Sequence, residues 1–241
     1  LLLKNNYNLL LHKEESPKIK GSTLNCCLDN IDITNKYFQH EFGFTYIDDF
    51  LSPVALKLLR EFLLRSTIWF SIKENGYLGA FMKEGFFNPL ILQISEDLRK
   101  KFPEIFKDHA LNQVWAFKYS HRSKEKTSSI RGINIHADFA AINVNFWVTS
   151  SDSNLNPDSG GLIVYDVEAP KEWDFKTYNR DVDRIKKELK RSKGNTKVVP
   201  YKGNRAVIFN SNLFHETDDY EFKEGYEHRR INVTMLFGTR N

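Results

Sequence analysis

Hydrophobic residues recur at helical spacing in two segments of the first half of the chain. Over about 53–65, Leu and Phe residues return every three or four positions, after Ser52 as an N-cap and Pro53 in the first turn. Over about 89–101, aliphatic residues share one face, and Pro103 ends the run. These two patterns predict two amphipathic helices.

From Trp115 onward the spacing changes to an alternation of hydrophobic and polar residues, which is typical of strands with one buried face. The alternating segments are 115–119, 133–138, 142–148, 207–209 and 230–237. Short strands separated by turns favour a β-sandwich or a jelly roll. We therefore predict a mainly β fold with supporting α-helices.

The chain is predicted to form one domain behind an N-terminal arm. Residues 1–30 follow neither spacing and are expected to be a loosely attached arm. The single domain is expected over 31–241, with helical support at about 45–110 and the jelly-roll core at about 113–241. Within that core, residues 169–200 are expected to be an insertion that contains a charged helix.

Composition and charge narrow the class of protein. The 241 residues are 41% hydrophobic, which is enough for a full core without disulfide bonds. The net charge is only +4 and no long basic block occurs, so neither a nucleic-acid partner nor, without a long apolar run, a membrane is expected. The two cysteines, Cys26 and Cys27, are sequence neighbours, which excludes a disulfide scaffold and favours a reducing, cytoplasmic setting.

Three of the predicted strands carry an aliphatic face and an opposite polar face. The polar faces consist of Asn134, His136 and Asp138, then Asn143, Asn145 and Trp147, then Arg230, Asn232 and Thr234. A solvent-facing sheet is one interpretation of such alternation. These faces are rich in Asn, His and Trp and hold a single Arg, which matches a wet, concave interior better. We therefore predict a site inside the sandwich and the aliphatic faces under the helices.

One polar face carries candidate metal ligands. His136 and Asp138 lie two residues apart on a predicted strand, so their side chains project the same way. That spacing alone is weak, because His12 and Glu14 match it too. His215 follows a strand and a turn that can bring a third ligand over the pair. Two imidazoles and one carboxylate are typical of non-haem Fe(II) sites, which leave three positions for a bidentate ligand and dioxygen.

A bidentate organic anion on that iron needs a counter-charge at its far end. A guanidinium offers a permanent charge and a fork that fits a carboxylate. Arg230 shares the polar face with Asn232, whereas Arg229 projects with Ile231 to the other side. An arginine in a strand often forms a surface ion pair instead. Arg230, however, lies 15 residues after His215, and this spacing favours it as the counter-charge.

Together, His136-x-Asp138, His215 and Arg230-x-Asn232 resemble the His-x-Asp…His…Arg-x-Ser/Asn signature of the Fe(II)/2-oxoglutarate-dependent dioxygenases. The resemblance covers about 45–241 and extends to oxygenase domains that are often attached to tetratricopeptide repeats and to their prolyl-hydroxylase-like relatives, although the repeats are absent from this sequence. Further similar segments are Asp48–Pro53, Trp115–Tyr119, Asp158–Leu162 and Asn204–Phe209. The resemblance implies a double-stranded β-helix, a jelly roll. Prolyl hydroxylases often use Lys where Arg230 stands, so no prolyl substrate is implied.

The resemblance also implies the chemistry and the role of each site residue. The Fe(II) ligands would be His136, Asp138 and His215, and the 2-oxoglutarate bound to that iron would have its 5-carboxylate held by Arg230. Asn232 would support Arg230, and Tyr119 and Asn145 would hydrogen-bond the cosubstrate. The implied reaction uses dioxygen to hydroxylate a C–H bond of a small-molecule or peptidyl substrate and converts 2-oxoglutarate to succinate.

Two other functions remain open on the sequence alone. One is a non-catalytic jelly-roll binding module or scaffold, and the other is a zinc hydrolase that uses the same three ligands with Glu216 as a base. An aromatic cluster over 66–88 either packs under the jelly roll or overhangs the metal. The substrate and the oligomeric state are not predicted.

Overall fold

The structure, a computed structural model, describes residues 12–123 and 132–240. Residues 1–11, which begin the expected arm, lie outside the described residues, as do 124–131. No helix in the two described ranges combines the length and the hydrophobicity that a membrane crossing needs.

The described residues form six helices and ten strands. The helices are α1 (Asn30–Gln39), α2 (Pro53–Arg65), α3 (Pro89–Lys101), α4 (Pro103–Phe106), α5 (Phe175–Arg180) and α6 (Val182–Ser192). The strands are β1 (Phe44–Ile47), β2 (Ser71–Lys73), β3 (Tyr77–Phe81), β4 (Leu111–Tyr119), β5 (Ile142–Trp147), β6 (Leu162–Glu168), β7 (Thr196–Val199), β8 (Ala206–Asn210), β9 (Leu213–Thr217) and β10 (Ile231–Phe237).

The caps of α2 and α3 explain why both helices begin where the sequence predicts. The Ser52 hydroxyl accepts a hydrogen bond from the Ala55 amide, and the Asn88 side chain accepts one from the Ile91 amide. A proline occupies the first turn of each helix. The predicted helices over 53–65 and 89–101 are confirmed.

Two antiparallel sheets form the β structure. The large sheet has the strand order β1-β8-β5-β10-β4-β3-β2, and the small sheet has the order β7-β6-β9. Strands that are distant in sequence are neighbours in both sheets: β10 pairs with β4 and β5 in the large sheet, and β9 pairs with β6 in the small sheet. This arrangement confirms the predicted mainly β jelly roll with supporting helices.

The two faces of the large sheet differ as the strand alternation predicts. Val144, Phe146, Val233 and Met235 are buried in one hydrophobic cluster with side chains of α2 and α3. The opposite face of the same strands carries buried polar side chains, among them Asn145. The prediction that the aliphatic faces lie under the helices is confirmed. The polar face is therefore available for a binding site.

The prediction of a strand over 133–138 is wrong. This segment forms one isolated bridge, between His136 and His215 of β9 in the small sheet. By Ala141 the backbone is already hydrogen-bonded to β10 of the large sheet. Because the chain passes from one sheet to the other within these few residues, it cannot continue a ladder with either.

Other segments depart from the predicted domain plan. The expected insertion 169–200 contains the charged helix α6, but it ends in β7, which pairs with β6 and is part of the small sheet. The helical support region also supplies β1, β2 and β3 to the large sheet. These pairings join residues far apart in sequence, so a local pattern does not show them.

The described part of the expected arm is held against the domain. The Thr23 amide and hydroxyl both donate to Asp97 of α3, at 2.7 and 2.8 Å. Gln93, also in α3, exchanges hydrogen bonds with the backbone of Ile19. Residues 12–29 are therefore not loosely attached, because α3 offers polar side chains for their backbone groups.

A lysine is buried between α2 and the large sheet. Lys118 Nζ donates to the Tyr226 hydroxyl at 2.6 Å and to the Leu63 carbonyl at 3.3 Å. It also lies 4.3 Å from the centre of a Trp69 ring. No carboxylate among the described residues pairs with it, and burial lowers the pKa of Lys118 to about 7.

We predict that Lys118→Met removes a rise of stability with pH. Above about pH 7 the folded protein carries a neutral amine, whereas the unfolded chain keeps this lysine protonated until about pH 10. The unfolded state therefore binds more protons, and the free energy of unfolding increases with pH in this window. Denaturant unfolding at about pH 7 and about pH 9.5 measures the rise, which the variant should lack.

Substitution by Met also leaves the former partners satisfied. The Tyr226 hydroxyl donates to the Leu64 carbonyl, and the Leu63 carbonyl accepts from Trp69 Nε1. The exposed Lys83→Met serves as the control. Parallel pH dependences of the wild type and Lys118→Met would contradict the prediction.

Candidate metal centre and cosubstrate pocket

Three potential ligands converge where the chain passes between the sheets. One side-chain donor atom from each of His136, Asp138 and His215 lies within 4.8 Å of the other two. His136 Nε2 lies 3.8 Å from Asp138 Oδ1, and His215 Nε2 lies 3.5 Å from Asp138 Oδ2. Among the described residues this is the one His, Cys, Asp and Glu cluster with such geometry, and it has the donor set of a non-haem iron site.

Backbone hydrogen bonds fix the orientation of the two imidazoles. His136 and His215 exchange a pair of backbone hydrogen bonds, and their ring centres lie 4.3 Å apart. His136 Nδ1 lies 2.8 Å from the Asn134 carbonyl and His215 Nδ1 lies 3.0 Å from the Leu213 carbonyl. Since a carbonyl only accepts, each Nδ1 carries the proton, and each Nε2 lone pair is available to a metal.

The carboxylate is oriented by a residue that the sequence did not single out as part of the site. Asn143 Nδ2 donates to Asp138 Oδ2 at 2.8 Å. Such a bond to a ligating carboxylate fixes its rotamer and its basicity. Asn143 lies on the predicted polar face of β5, five residues after Asp138, and this position was the available signal.

Burial and mutual contact set the protonation of the three groups. Burial, reinforced by His215, lowers the pKa of His136 to about 4. Burial by itself raises the pKa of Asp138, but the neighbouring imidazoles of His215 and His136 and the hydrogen bond from Asn143 together outweigh it and hold this pKa below its ordinary value. At neutral pH the cluster therefore offers a neutral imidazole at His136 and an ionised carboxylate, which are the forms that bind a divalent metal.

A cation is buried near the cluster without an anionic partner. Arg230, which is 1% exposed, donates from Nε to the Gly160 carbonyl at 2.7 Å and from Nη2 to the Gly161 carbonyl at 3.0 Å. Its Nη1 reaches Asn232 Oδ1 at 3.3 Å. No carboxylate in the described ranges forms an ion pair with this guanidinium, so a buried charge is left for a ligand to neutralise.

Aromatic rings and a close glycine contact support Arg230. The guanidinium carbon lies 4.5 Å from the centre of the Tyr119 ring and 5.7 Å from that of Trp147. A Cβ atom at Gly161 would collide with the Val199 carbonyl oxygen, so only glycine allows this backbone approach. Arg229, on the other side of the strand, instead contacts His121.

The metal cluster and Arg230 line one inner cavity. Its further lining includes Tyr119, Asn145 and Thr234. Asn145 Nδ2 donates to Thr234 Oγ1 at 3.2 Å, while the Tyr119 hydroxyl lies 3.5 Å from Thr217 Oγ1. The structure thus places every residue expected to bind metal or cosubstrate around one space.

Unpartnered polar atoms test whether a dicarboxylate fits that space. Within the described part of the chain, two buried atoms of the cavity lining, Asn143 Oδ1 and Asn145 Oδ1, have no hydrogen-bond partner. Such atoms destabilise a protein unless a ligand or water satisfies them. Together with the unpaired Arg230 and the two available Nε2 atoms, they fit a metal ion and a polar, anionic molecule. The residues present therefore agree with Fe(II) and 2-oxoglutarate.

A larger, outer cavity of about 450 Å³ also reaches His136 and Asp138. The predicted alternatives for the 66–88 cluster are both found. Tyr77 and Phe81 line this cavity beside the metal cluster, whereas Phe86 is fully buried in the core. Glu216, the base considered for a zinc hydrolase, also lines the inner cavity, and its Oε1 accepts a hydrogen bond from the Tyr165 hydroxyl at 2.5 Å.

Solved structures with the same fold were found by structural comparison. The non-haem α-ketoglutarate-dependent carbocyclase SnoK from nogalamycin biosynthesis has a TM-score of 0.56 at 12% identity, over 90% of this chain and 87% of its own. A prolyl hydroxylase from Trichoplax adhaerens, in complex with a hypoxia-inducible-factor peptide fragment, has a TM-score of 0.53 at 14% identity, over 87% of this chain and 90% of its own.

A third structure contains a metal and the cosubstrate. HygX from Streptomyces hygroscopicus, with nickel and 2-oxoglutarate bound, has a TM-score of 0.52 at 12% identity, over 85% of this chain and 86% of its own. Neither a family model nor a curated protein matches the sequence. At such low identity these likenesses establish the architecture. The chain has the jelly-roll fold of Fe(II)/2-oxoglutarate-dependent oxygenases.

Proposed function

We propose that this protein is a non-haem Fe(II)- and 2-oxoglutarate-dependent oxygenase. The observation that carries the proposal is the convergence of His136, Asp138 and His215 to within 4.8 Å beside an inner cavity. That cavity also contains the buried Arg230, which pairs with no carboxylate of the described residues. A binding module that holds a structural metal needs the three ligands, but it has no need for the buried guanidinium beside them. The shared fold with SnoK and HygX supports the proposal.

The three ligands have distinct supporting contacts. His136 and His215 present Nε2 because their Nδ1 protons are held by backbone carbonyls, and Asp138 presents the oxygen that Asn143 does not bind. Fe(II) in this cluster, with 2-oxoglutarate and dioxygen, supplies the oxidising chemistry that converts 2-oxoglutarate to succinate and carbon dioxide. The three ligands leave the other coordination positions of the metal to these reactants.

Arg230 orients the cosubstrate in this proposal. Its guanidinium binds the 5-carboxylate as a bidentate fork, and Asn232 and the two glycine carbonyls hold that fork in place. Asn145 and Tyr119 line the space between Arg230 and the metal, where they contact the cosubstrate. Burial of Arg230 excludes water, which strengthens its interaction with the carboxylate.

We infer hydroxylation of a substrate C–H bond as the outcome. It requires the protein only to hold that bond beside the metal, in the outer cavity that reaches His136 and Asp138. Structures of this fold include a carbocyclase and an epimerase, so product analysis is part of the test. Their bound partners include a peptide fragment and hygromycin B, so the fold leaves the substrate open to small molecules and peptides.

We predict that the protein binds one redox-inert Ni(II) ion at the cluster. Asp138→Ala should abolish binding in isothermal titration calorimetry, and Asn143→Ala should weaken it about tenfold because the carboxylate loses its orientation. The matched control is His12→Ala. His12 also pairs with an acid two residues on, Glu14, but no third ligand joins them within the described residues. Equal loss in His12→Ala would contradict this assignment.

We further predict that the Ni(II)-loaded protein binds 2-oxoglutarate through Arg230. Arg230→Met should weaken 2-oxoglutarate binding roughly tenfold to a hundredfold, since a charged hydrogen-bond partner is lost. Arg230→Lys should retain part of the affinity. Arg229→Met should bind like the wild type, because this neighbour contacts His121 on the other side of the strand.

Turnover is tested with the wild type and His136→Ala, each supplied with Fe(II) and 2-oxoglutarate in air. Succinate should form from 2-oxoglutarate with the wild type and not with His136→Ala. A folded wild type that binds neither Ni(II) nor 2-oxoglutarate would instead indicate the non-catalytic module.

A further inference from the structure

The outer cavity carries information about the substrate. We propose that it binds a free small molecule with a planar, apolar body and an anionic group, of the aryl carboxylate or aryl phosphate class, as the substrate of the proposed oxygenase. That this molecule is the substrate rests on the proposed function. That the cavity binds it rests only on the residues that line the cavity.

One part of the lining is an aromatic surface built by β3 and β4. Tyr77 and Phe81 lie on β3, and Trp115 and Phe117 lie on the paired β4, and all four line the cavity. The Tyr77 and Phe117 rings are 5.1 Å apart and the Phe81 and Phe117 rings 6.0 Å apart, both edge to face. Rings held by one another in this way offer a preformed apolar surface.

A glycine makes this surface possible. Gly79 lies directly opposite Phe117 in the strand pairing. A Cβ atom there would approach the Phe81 ring to 2.7 Å and the Phe117 ring to 3.3 Å. Because Gly79 has no side chain, the Phe81 and Phe117 rings can occupy this space beside the cavity.

A second aromatic group comes from segments that lie between Asp138 and His215 in sequence. Phe139 follows Asp138 directly, and Phe175 begins α5, and their rings are 6.1 Å apart, edge to face. Both line the same cavity. With six rings around a volume of about 450 Å³, the cavity fits a whole small molecule with a flat, apolar body.

The charged residues of the lining are unbalanced. Lys73 and Arg180 line the cavity, and neither forms an ion pair with any described residue. Lys73 Nζ lies 5.1 Å from the Phe81 ring centre, and the Arg180 guanidinium lies 5.8 Å from that of Phe175. The single acidic residue in the described lining is Asp138, which belongs to the metal cluster.

This charge pattern selects the sign of the ligand. Aromatic rings alone attract cations as well as neutral molecules. Two cations that pair with no described acidic residue, set beside those rings, repel a cationic ligand and attract an anion, and a metal ion would add further positive charge. The combination of six rings with Lys73 and Arg180 therefore indicates an aromatic anion.

Matched naphthalene probes test the inference by calorimetry on protein loaded with Ni(II) and saturated with 2-oxoglutarate. Naphthalene-2-carboxylate should bind roughly tenfold tighter than naphthalene-2-carboxamide, because it adds charge-assisted contacts. The cationic 2-(aminomethyl)naphthalene should bind weakest. Hexanoate should bind more weakly than the aromatic carboxylate, because it lacks the flat apolar body.

Variants separate the two cations from general surface charge. Lys73→Gln and Arg180→Gln should each weaken binding of the carboxylate by roughly threefold to tenfold and leave the carboxamide unchanged. The double variant should lose the preference for the carboxylate. Lys176→Gln is the matched control, since Lys176 is an exposed residue of α5 that does not line the cavity.

The outcomes distinguish this inference from the proposed function. Equal or tighter binding of the amine, a carboxylate preference that survives in the double variant, or no binding of any naphthalene probe would overturn it. Asp138→Ala, which should not hold Ni(II), tests the cavity without the metal and should keep the preference. Loss of metal and 2-oxoglutarate binding in the wild type, with the probe preference intact, would overturn the proposed function and leave the binding claim standing.

Discussion

The chain passes between the two sheets twice at the same place, and backbone hydrogen bonds between these passages hold the candidate metal centre together. His136 and His215 exchange bonds of 3.0 and 2.8 Å. Asp138 lies two residues after His136, and Ser211 lies four residues before His215. The Asp138 amide donates to the Ser211 carbonyl at 3.1 Å, and the Ser211 amide donates to the Ala141 carbonyl at 3.0 Å. Because buried backbone groups need partners, the two passages position each other, and the ligands follow from that constraint.

Features that depend on local sequence were predictable from the chain alone. The starts of α2 and α3 follow from Ser52 and Asn88 as caps before a proline. Alternation along β10 separates Arg230, which is buried beside the inner cavity, from Arg229, which is not part of it. Strand parity needs no knowledge of which strand is the neighbour, so it placed the polar face inside and the aliphatic face under the helices.

Features that depend on contacts between distant segments were not predictable. Alternation over 133–138 indicated a strand. The segment forms only one bridge with the small sheet, between His136 and His215, because the chain leaves that sheet directly afterwards. The bond from Asn143 to Asp138 and the lining by Phe175 and Arg180 depend on how loops fold over the sheet. The sequence shows that 169–200 is charged and partly helical, but it does not show which cavity α5 will border.

In the proposed function, reaction chemistry and substrate choice depend on partly different elements of this fold. The inner cavity lies between core strands, and its unpartnered polar atoms, such as Asn145 Oδ1, destabilise the protein unless a polar ligand satisfies them. The outer cavity takes part of its lining from the β2–β3 hairpin at the edge of the large sheet and from α5. Neither element contributes a metal ligand or a contact to Arg230. Changes in these two elements can therefore alter the molecule that is bound while the metal cluster and its backbone hydrogen bonds stay the same.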